Sequence, residues 1–122
     1  MYELLSTMSM KPPIPGNHPV VLMLHITIPV EGRENLIGFL REALPYYQEP
    51  GGIRVRLLSS VEKPEEHIEM IEYETQEAYL RDQHRVTQDV KMRGYLDQWH
   101  RVLDGHVIAK PYFDLSSAIF RA

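Results

Sequence analysis

The sequence predicts an α+β domain in which a four-stranded antiparallel sheet carries its helices on one side. Three observations predict it: a β-branched run at residues 20–29, two amphipathic helical stretches that each follow a strand, and a short charged connection joining two further strands. The chain has 122 residues, 43% hydrophobic and 25% charged, which is the size and composition of one ordinary globular domain. We divide it into an irregular Pro-rich N-terminal extension at 1–19, the folded domain at 20–115, and a C-terminal tail at 116–122.

Pro12, Pro13, Pro15 and Pro19 crowd the first segment, removing backbone donors where no apolar periodicity replaces them. The first strand follows at 20–29, reading V-V-L-M-L-H-I-T-I-P. One face carries Val20, Leu22, Leu24, Ile26 and Ile28; the other carries Val21, Met23, His25 and Thr27. From 31 to 47, Leu36, Leu40, Ala43, Leu44 and Tyr47 recur at three- and four-residue spacing, an amphipathic helix that Pro45 should end or kink. Glu49-Pro50-Gly51-Gly52 then signals a turn.

Strands at 53–61 and 67–74 flank the connection K-P-E-E and suggest a hairpin. Ile53, Val55 and Leu57 alternate with Arg54, Arg56 and Leu58, while Ile68 and Met70 alternate with Glu69, Ile71 and Tyr73. Thr75 can cap a helix that starts at Gln76 and breaks near Thr87. A second piece at 88–103 sets Met92, Leu96, Trp99 and Leu103 on one stripe, with Gly105 as its stop and a last strand at 106–114. The order is strand, helix, strand, strand, helix, strand, which is the split βαβ arrangement of ferredoxin-like folds.

Composition narrows the function. There is no cysteine, which removes disulfides, thiol catalysis and thiolate metal sites and fits a reducing, cytoplasmic setting. Thirteen basic against seventeen acidic residues leave a net charge of −4, the wrong sign for a binder of nucleic-acid phosphates. No apolar run approaches the ~18 residues a membrane span needs, and the first ten residues lack the basic start and apolar stretch of a signal peptide. No two histidines stand at i, i+4 on a helix or i, i+2 on a strand, so we expect no metal.

The first strand is apolar on one face and mixed on the other. We expect the mixed row, with His25, to look toward the helices, and the wholly apolar row to be covered by the sheet of a second copy. A symmetric homodimer is the economical solution, because it needs only one self-complementary surface.

Three short motifs carry a family resemblance: P-V-E-G-R-E after the first strand, Y-Y-Q-E-P-G-G at the end of the first helix, and I-E-Y-E-T-Q-E-A-Y at 71–79. On these the sequence resembles the antibiotic biosynthesis monooxygenase-like family of dimeric α+β barrel proteins over roughly residues 20–115. Tyr73 stands where that family usually has tryptophan. The resemblance implies a dimeric barrel with a pocket between the sheet and helices of each subunit. It also implies oxidation of activated phenols or hydroquinones by dioxygen with no bound cofactor, or haem degradation, or small-molecule binding without catalysis. Fold alone does not choose among these.

His25 is the first catalytic candidate, since an imidazole can take a phenolic proton near neutral pH; a core histidine bonded to a carbonyl explains the same residue. His84 lies near a histidine that follows the E-A helix start in the family, and is equally a solvated helix residue. Arg54 and Arg56 project from one strand face, where they could hold a carboxylate or steady an oxyanion, with Arg56 in the catalytic role, or could simply be salt-bridged. Tyr73, Tyr112 and Glu72 can orient a hydroxylated ring. Trp99 shares its stripe with core residues, and either lines a pocket or fills the core. In haem-degrading relatives, an asparagine, a tryptophan and a helical histidine converge, at positions resembling His25, the neighbourhood of Asp82, and His84.

Overall fold

The computed structural model describes residues 18–103 and 105–120. The elements run β1 (Val20–Thr27), a 3-10 turn at Val30–Gly32, α1 (Arg33–Tyr47), β2 (Ile53–Ser59), β3 (Glu66–Tyr73), α2 (Gln76–Gln88), α3 (Val90–Val102), β4 (Val107–Phe113) and a short α4 (Ser116–Ile119). The sheet order is β2-β3-β1-β4, with every neighbouring pair antiparallel. This is the predicted ferredoxin-like arrangement. The expected N-terminal extension falls, up to residue 17, outside the described residues.

Local chemistry explains the boundaries. Thr75 Oγ1 accepts the Ala78 N–H at 3.0 Å and starts α2, and Asp89 Oδ2 accepts the Met92 N–H at 3.0 Å and starts α3, each side chain satisfying an orphan donor of a first turn. Gly51 and Gly52 hold φ of 82° and 74° between α1 and β2, a left-handed turn that side chains resist. The sequence reading expects Pro45 to end or kink its helix; it does not end it. It sits in the last turn of α1, which continues to Tyr47 and closes with Gln48 N–H on Leu44 O at 2.9 Å. So near the end, a missing donor removes little of the helix's hydrogen bonding.

Arg33 pins the start of α1 to the β2–β3 hairpin. Its Nε donates to His67 Nε2 at 3.2 Å and its Nη2 to Ser59 Oγ at 3.1 Å and Pro64 O at 3.2 Å. Since His67 accepts at Nε2, its ring hydrogen is on Nδ1, 3.1 Å from the Glu65 carbonyl. At the other end of α1, the Tyr46 ring lies 4.9 Å from the Arg85 guanidinium and 4.7 Å from Lys91 Nζ, and its hydroxyl donates to Asp89.

The two sheet faces are assigned opposite to the sequence expectation. Val20, Leu22, Leu24 and Ile26 are 2–3% exposed and face the helices, whereas Val21, Met23 and His25 stand on the side the helices leave open. The physical reason is complementarity. The helices bring buried apolar stripes, Leu36, Phe39, Leu40, Ala43 and Tyr47 on α1 and Met92, Leu96 and Trp99 on α3, and only a wholly apolar strand row meets them without stranding a polar group. Strand register completes both faces. His25 pairs with Ile68 and Ile108, Met23 with Met70 and Lys110, and Val21 with Glu72 and Tyr112. Arg54, Arg56 and Leu58 extend the same open face across β2.

Candidate binding cavity between sheet and helices

Alternation on β3 puts Glu69, Ile71 and Tyr73 on the covered face, beside Leu24, Leu22 and Val20 of β1. Above them, α2 presents Asp82, Gln83 and Val86, and α3 presents Met92, Leu96 and Trp99. These groups enclose a partly open cavity, completed by Tyr47, Ile53 and Val55. The volume open to the centre of a water molecule is about 40 Å³, room for roughly three waters.

Glu69 is 2% exposed, and its Oε1 accepts the Trp99 indole N–H at 3.0 Å. Burial pushes its carboxyl from an ordinary 4.5 up to about 7, with the indole bond acting in the opposite direction. Glu69 is therefore a buried acid that exchanges its proton near neutrality. Beside it, the Tyr73 hydroxyl donates to Asp82 Oδ2 at 2.6 Å, and Arg85 Nη1 reaches Asp82 Oδ1 at 3.3 Å. Arg85 also donates to the carbonyls of Tyr46 and Tyr47 at 2.8 and 3.0 Å, tying α2 to the end of α1. Burial raises the Asp82 carboxyl, while the Tyr73 hydroxyl and the two nearby arginines pull it back; the Tyr73 phenol is raised well above its usual value, first by burial and then by Asp82. Gln83 is 1% exposed, and its Oε1 has no hydrogen-bond partner among the described residues. An unpaired buried acceptor of this kind costs about 1–3 kcal/mol.

Of the candidates read from sequence, Tyr73 and Trp99 are brought together here. His25, Arg54, Arg56 and Tyr112 are not: they occupy the open face. There Glu72 pairs with both arginines, its Oε2 at 3.6 Å from Arg54 Nε and its Oε1 at 3.8 Å from Arg56 Nη1. His84 is exposed on α2, outside the cavity. The expected haem constellation is accordingly dispersed, with His25 on the open face, Asp82 in the cavity and His84 on the surface. Among the described residues, no three His, Asp or Glu side chains are placed to hold a metal ion.

Sequence reading missed Glu69 and Gln83, and named Asp82 only as the neighbourhood of a haem-site tryptophan. One signal was present: Glu69 shares its strand parity with His67, Ile71 and Tyr73, so an acid stands directly before two large apolar side chains of the same row.

No family model and no curated protein sequence matches this chain significantly. Its fold does match solved structures. A proposed antibiotic biosynthesis monooxygenase from Nitrosomonas europaea superposes with TM-score 0.65 at 14% identity, covering 84% of this chain and 96% of that one. Another, from Bordetella bronchiseptica, gives 0.64 at 13% identity, covering 80% and 97%. A Bacteroides thetaiotaomicron protein of unknown function, described as a possible oxidoreductase, gives 0.62 at 10% identity, covering 81% and 100%. The chain thus has the ferredoxin-like α+β fold of proteins named as antibiotic biosynthesis monooxygenases, and at these identities the likeness concerns the fold alone.

Proposed function

We propose that this chain is a small-molecule oxidoreductase of the monooxygenase-like kind, cytoplasmic and homodimeric, which binds a hydroxylated aromatic or quinol in the cavity between sheet and helices. The observation that carries the proposal is Glu69, a carboxylate buried in an apolar cavity beside an aromatic wall and half-ionised near neutral pH. A base works best when its pKa lies near the operating pH. Glu69 takes the proton of a ring hydroxyl, and the resulting electron-rich oxyanion reduces dioxygen. For a quinol, two electrons and two protons pass to dioxygen, giving a quinone and hydrogen peroxide. For a phenol with an activated methylene, that carbon loses two hydrogens and gains one oxygen as a carbonyl, while the second oxygen leaves as water.

The homodimer rests on the open face. Val21, Met23, Ile68 and Met70 form its centre, and Ile108 and Tyr112 remain 54% and 51% exposed at its edge. An exposed apolar patch of this kind, rimmed by the charged Arg54, Arg56, Glu72 and Lys110, is a natural association surface, and a second copy presents the same one. Within such a pair, His25, Arg54, Arg56 and Tyr112 would line the space between sheets, where a role for His25 in proton transfer remains a separate proposal from the Glu69 site.

The test is oxygen uptake with anthrones, naphthoquinols and catechols, wild type against Glu69→Gln. We expect turnover above buffer and a loss of about 10²-fold or more in the variant. No uptake across the panel removes the oxidoreductase reading. It leaves a non-catalytic binding module, which the small size of the cavity and the structural tie of Asp82 to Tyr73 and Arg85 also favour.

A further inference from the structure

Resting on the homodimer reading, we propose that Met23 and Met70 form a peroxide-modified site, at which oxidation of both thioethers to sulfoxides keeps two copies of this chain apart.

Placement gives the first argument. Met23 and Met70 are direct partners across the β1–β3 pair, and both are half-buried on the face the helices leave open. Their row continues to Arg56 on β2 and Lys110 on β4, so it reads Arg56, Met70, Met23, Lys110 across all four strands. Adjacent strands lie about 4.8 Å apart, and the two thioethers are therefore neighbours at the middle of the face with a cation to either side. The next row sets Ile68, His25 and Ile108 beside them, and Ile108 is 54% exposed. Met92, the other methionine among the described residues, stands on α3 and is 3% exposed. The open face thus holds two reachable thioethers, and the core holds a protected one.

Chemistry gives the second argument. A thioether is a two-electron reductant for a peroxide. The sulfur lone pair attacks one peroxide oxygen, the O–O bond breaks as the S–O bond forms, and the leaving hydroxide takes the proton of the transferred oxygen and departs as water. Sulfur loses two electrons and the peroxide gains them. The quinol reaction proposed above releases this oxidant, and hydrogen peroxide from any other source serves equally. The product is polar where the thioether was apolar. In a single copy the new oxygen meets water, and Arg56 and Lys110 stand beside it as donors. Between two apolar sheets the same oxygens, two from each copy, are stripped of water. A second sheet also keeps peroxide from the sulfurs. Modification therefore selects the separated chain and then keeps it separate.

The test treats the full chain with hydrogen peroxide at two protein concentrations, one below and one above that at which light scattering shows association, and reads each methionine by peptide mass spectrometry. We expect sulfoxide at Met23 and Met70 to form about tenfold faster than at Met92 in dilute protein, and about fivefold more slowly at the higher concentration. The modified chain should keep its circular dichroism spectrum and need about a hundredfold more protein to associate. Methionine sulfoxide reductases for both sulfoxide epimers should restore association. The double variant Met23→Leu, Met70→Leu, which keeps the apolar volume and removes the sulfur, should associate like wild type before and after peroxide. The proposal is overturned by Met92 oxidising as fast as the pair, by oxidation of the pair that leaves association unchanged, or by a double variant that peroxide dissociates as fully as wild type. Light scattering separates this inference from the reading beneath it. An untreated chain that is monomeric at every concentration removes the homodimer and this inference together, whereas an untreated dimer that survives oxidation of both methionines keeps the homodimer and removes this inference alone.

Discussion

The two faces of one sheet differ by a single residue of register and have opposite tasks. On β1, Leu22 and Leu24 are 2% and 3% exposed under the helices, while Met23 between them stands on the open side. On β3 the same alternation sets Glu69 inside and Met70 outside. The contrast teaches that the polarity of one strand does not settle the whole face: β1 meets the helices with a wholly apolar row, and β3 adds an acid beside it. The covered face buries an acid, and the open face exposes methionine and isoleucine, because one is closed by the chain's own helices and the other is not; the homodimer proposed above would cover it with a second sheet.

The largest effect should come from putting a charge on each face. Leu24→Asp leaves an unpaired carboxylate among buried aliphatic side chains, a loss of about 4 kcal/mol or more, and we expect no cooperative melting transition by circular dichroism. Met70→Asp, one face over, should keep its fold but remain monomeric by light scattering at concentrations where the wild type weighs about twice the 14.2 kDa chain mass. Folded Leu24→Asp together with unfolded Met70→Asp would reverse the assignment of faces.

Glu69 sharpens the comparison from within the covered face. Its folded value of about 7 lies above the ordinary 4.5, so between those two pH values the folded state holds the proton more tightly than the unfolded chain. The stabilisation is complete below pH 4.5, is lost as the pH rises toward 7, and is absent above it, a change of about 3 kcal/mol at 1.4 kcal/mol per unit. Glu69→Gln cannot ionise. Relative to wild type it should therefore gain nothing at pH 4.5 and about 3 kcal/mol at pH 8, as measured by urea unfolding at both. The indole resonance of Trp99 should move with a midpoint near 7 in the wild type and stay fixed in the variant.

Element order was legible in the sequence because periodicity and caps are local: the alternation of residues 20–29, the Thr75 cap and the Trp99 stripe each needed only their neighbours. The face assignment was not, since it depends on which row of β1 meets the stripes of α1 and α3, a relation between distant segments. Once the rows were exchanged, His25 left the pocket and Glu69 entered it. The candidate site was readable only in part for the same reason. Tyr73 and Trp99 were marked out as large aromatics, whereas Glu69, Asp82 and Gln83 look like ordinary surface residues until their burial is known.

A smaller effect is expected from Tyr73→Phe, which removes the 2.6 Å donor to Asp82 but leaves Arg85 in place. The cost should be about 1–3 kcal/mol in unfolding free energy. A variant as stable as wild type would mean that Arg85 alone satisfies the acid.

The smallest effect should be Arg54→Ala, and its value lies in how it changes with concentration. The Arg54 side chain is 74% exposed and Glu72 is 32% exposed, with their closest atoms 3.6 Å apart, so in a single copy the pair is a surface ion pair worth about 0–1 kcal/mol. Glu72 also keeps Arg56 at 3.8 Å, which cushions the loss further. If a second sheet covers this face, Glu72 loses its water, and removing one of its two cations then leaves a carboxylate underpaired in the interface. The variant should melt like wild type at concentrations too low for association. At higher concentration its melting temperature should fall behind, because only the wild type gains the full stabilisation of dimerisation. Equal melting temperatures across the whole concentration range, with both proteins dimeric by light scattering, would place the interface on some other surface and leave the open face to water.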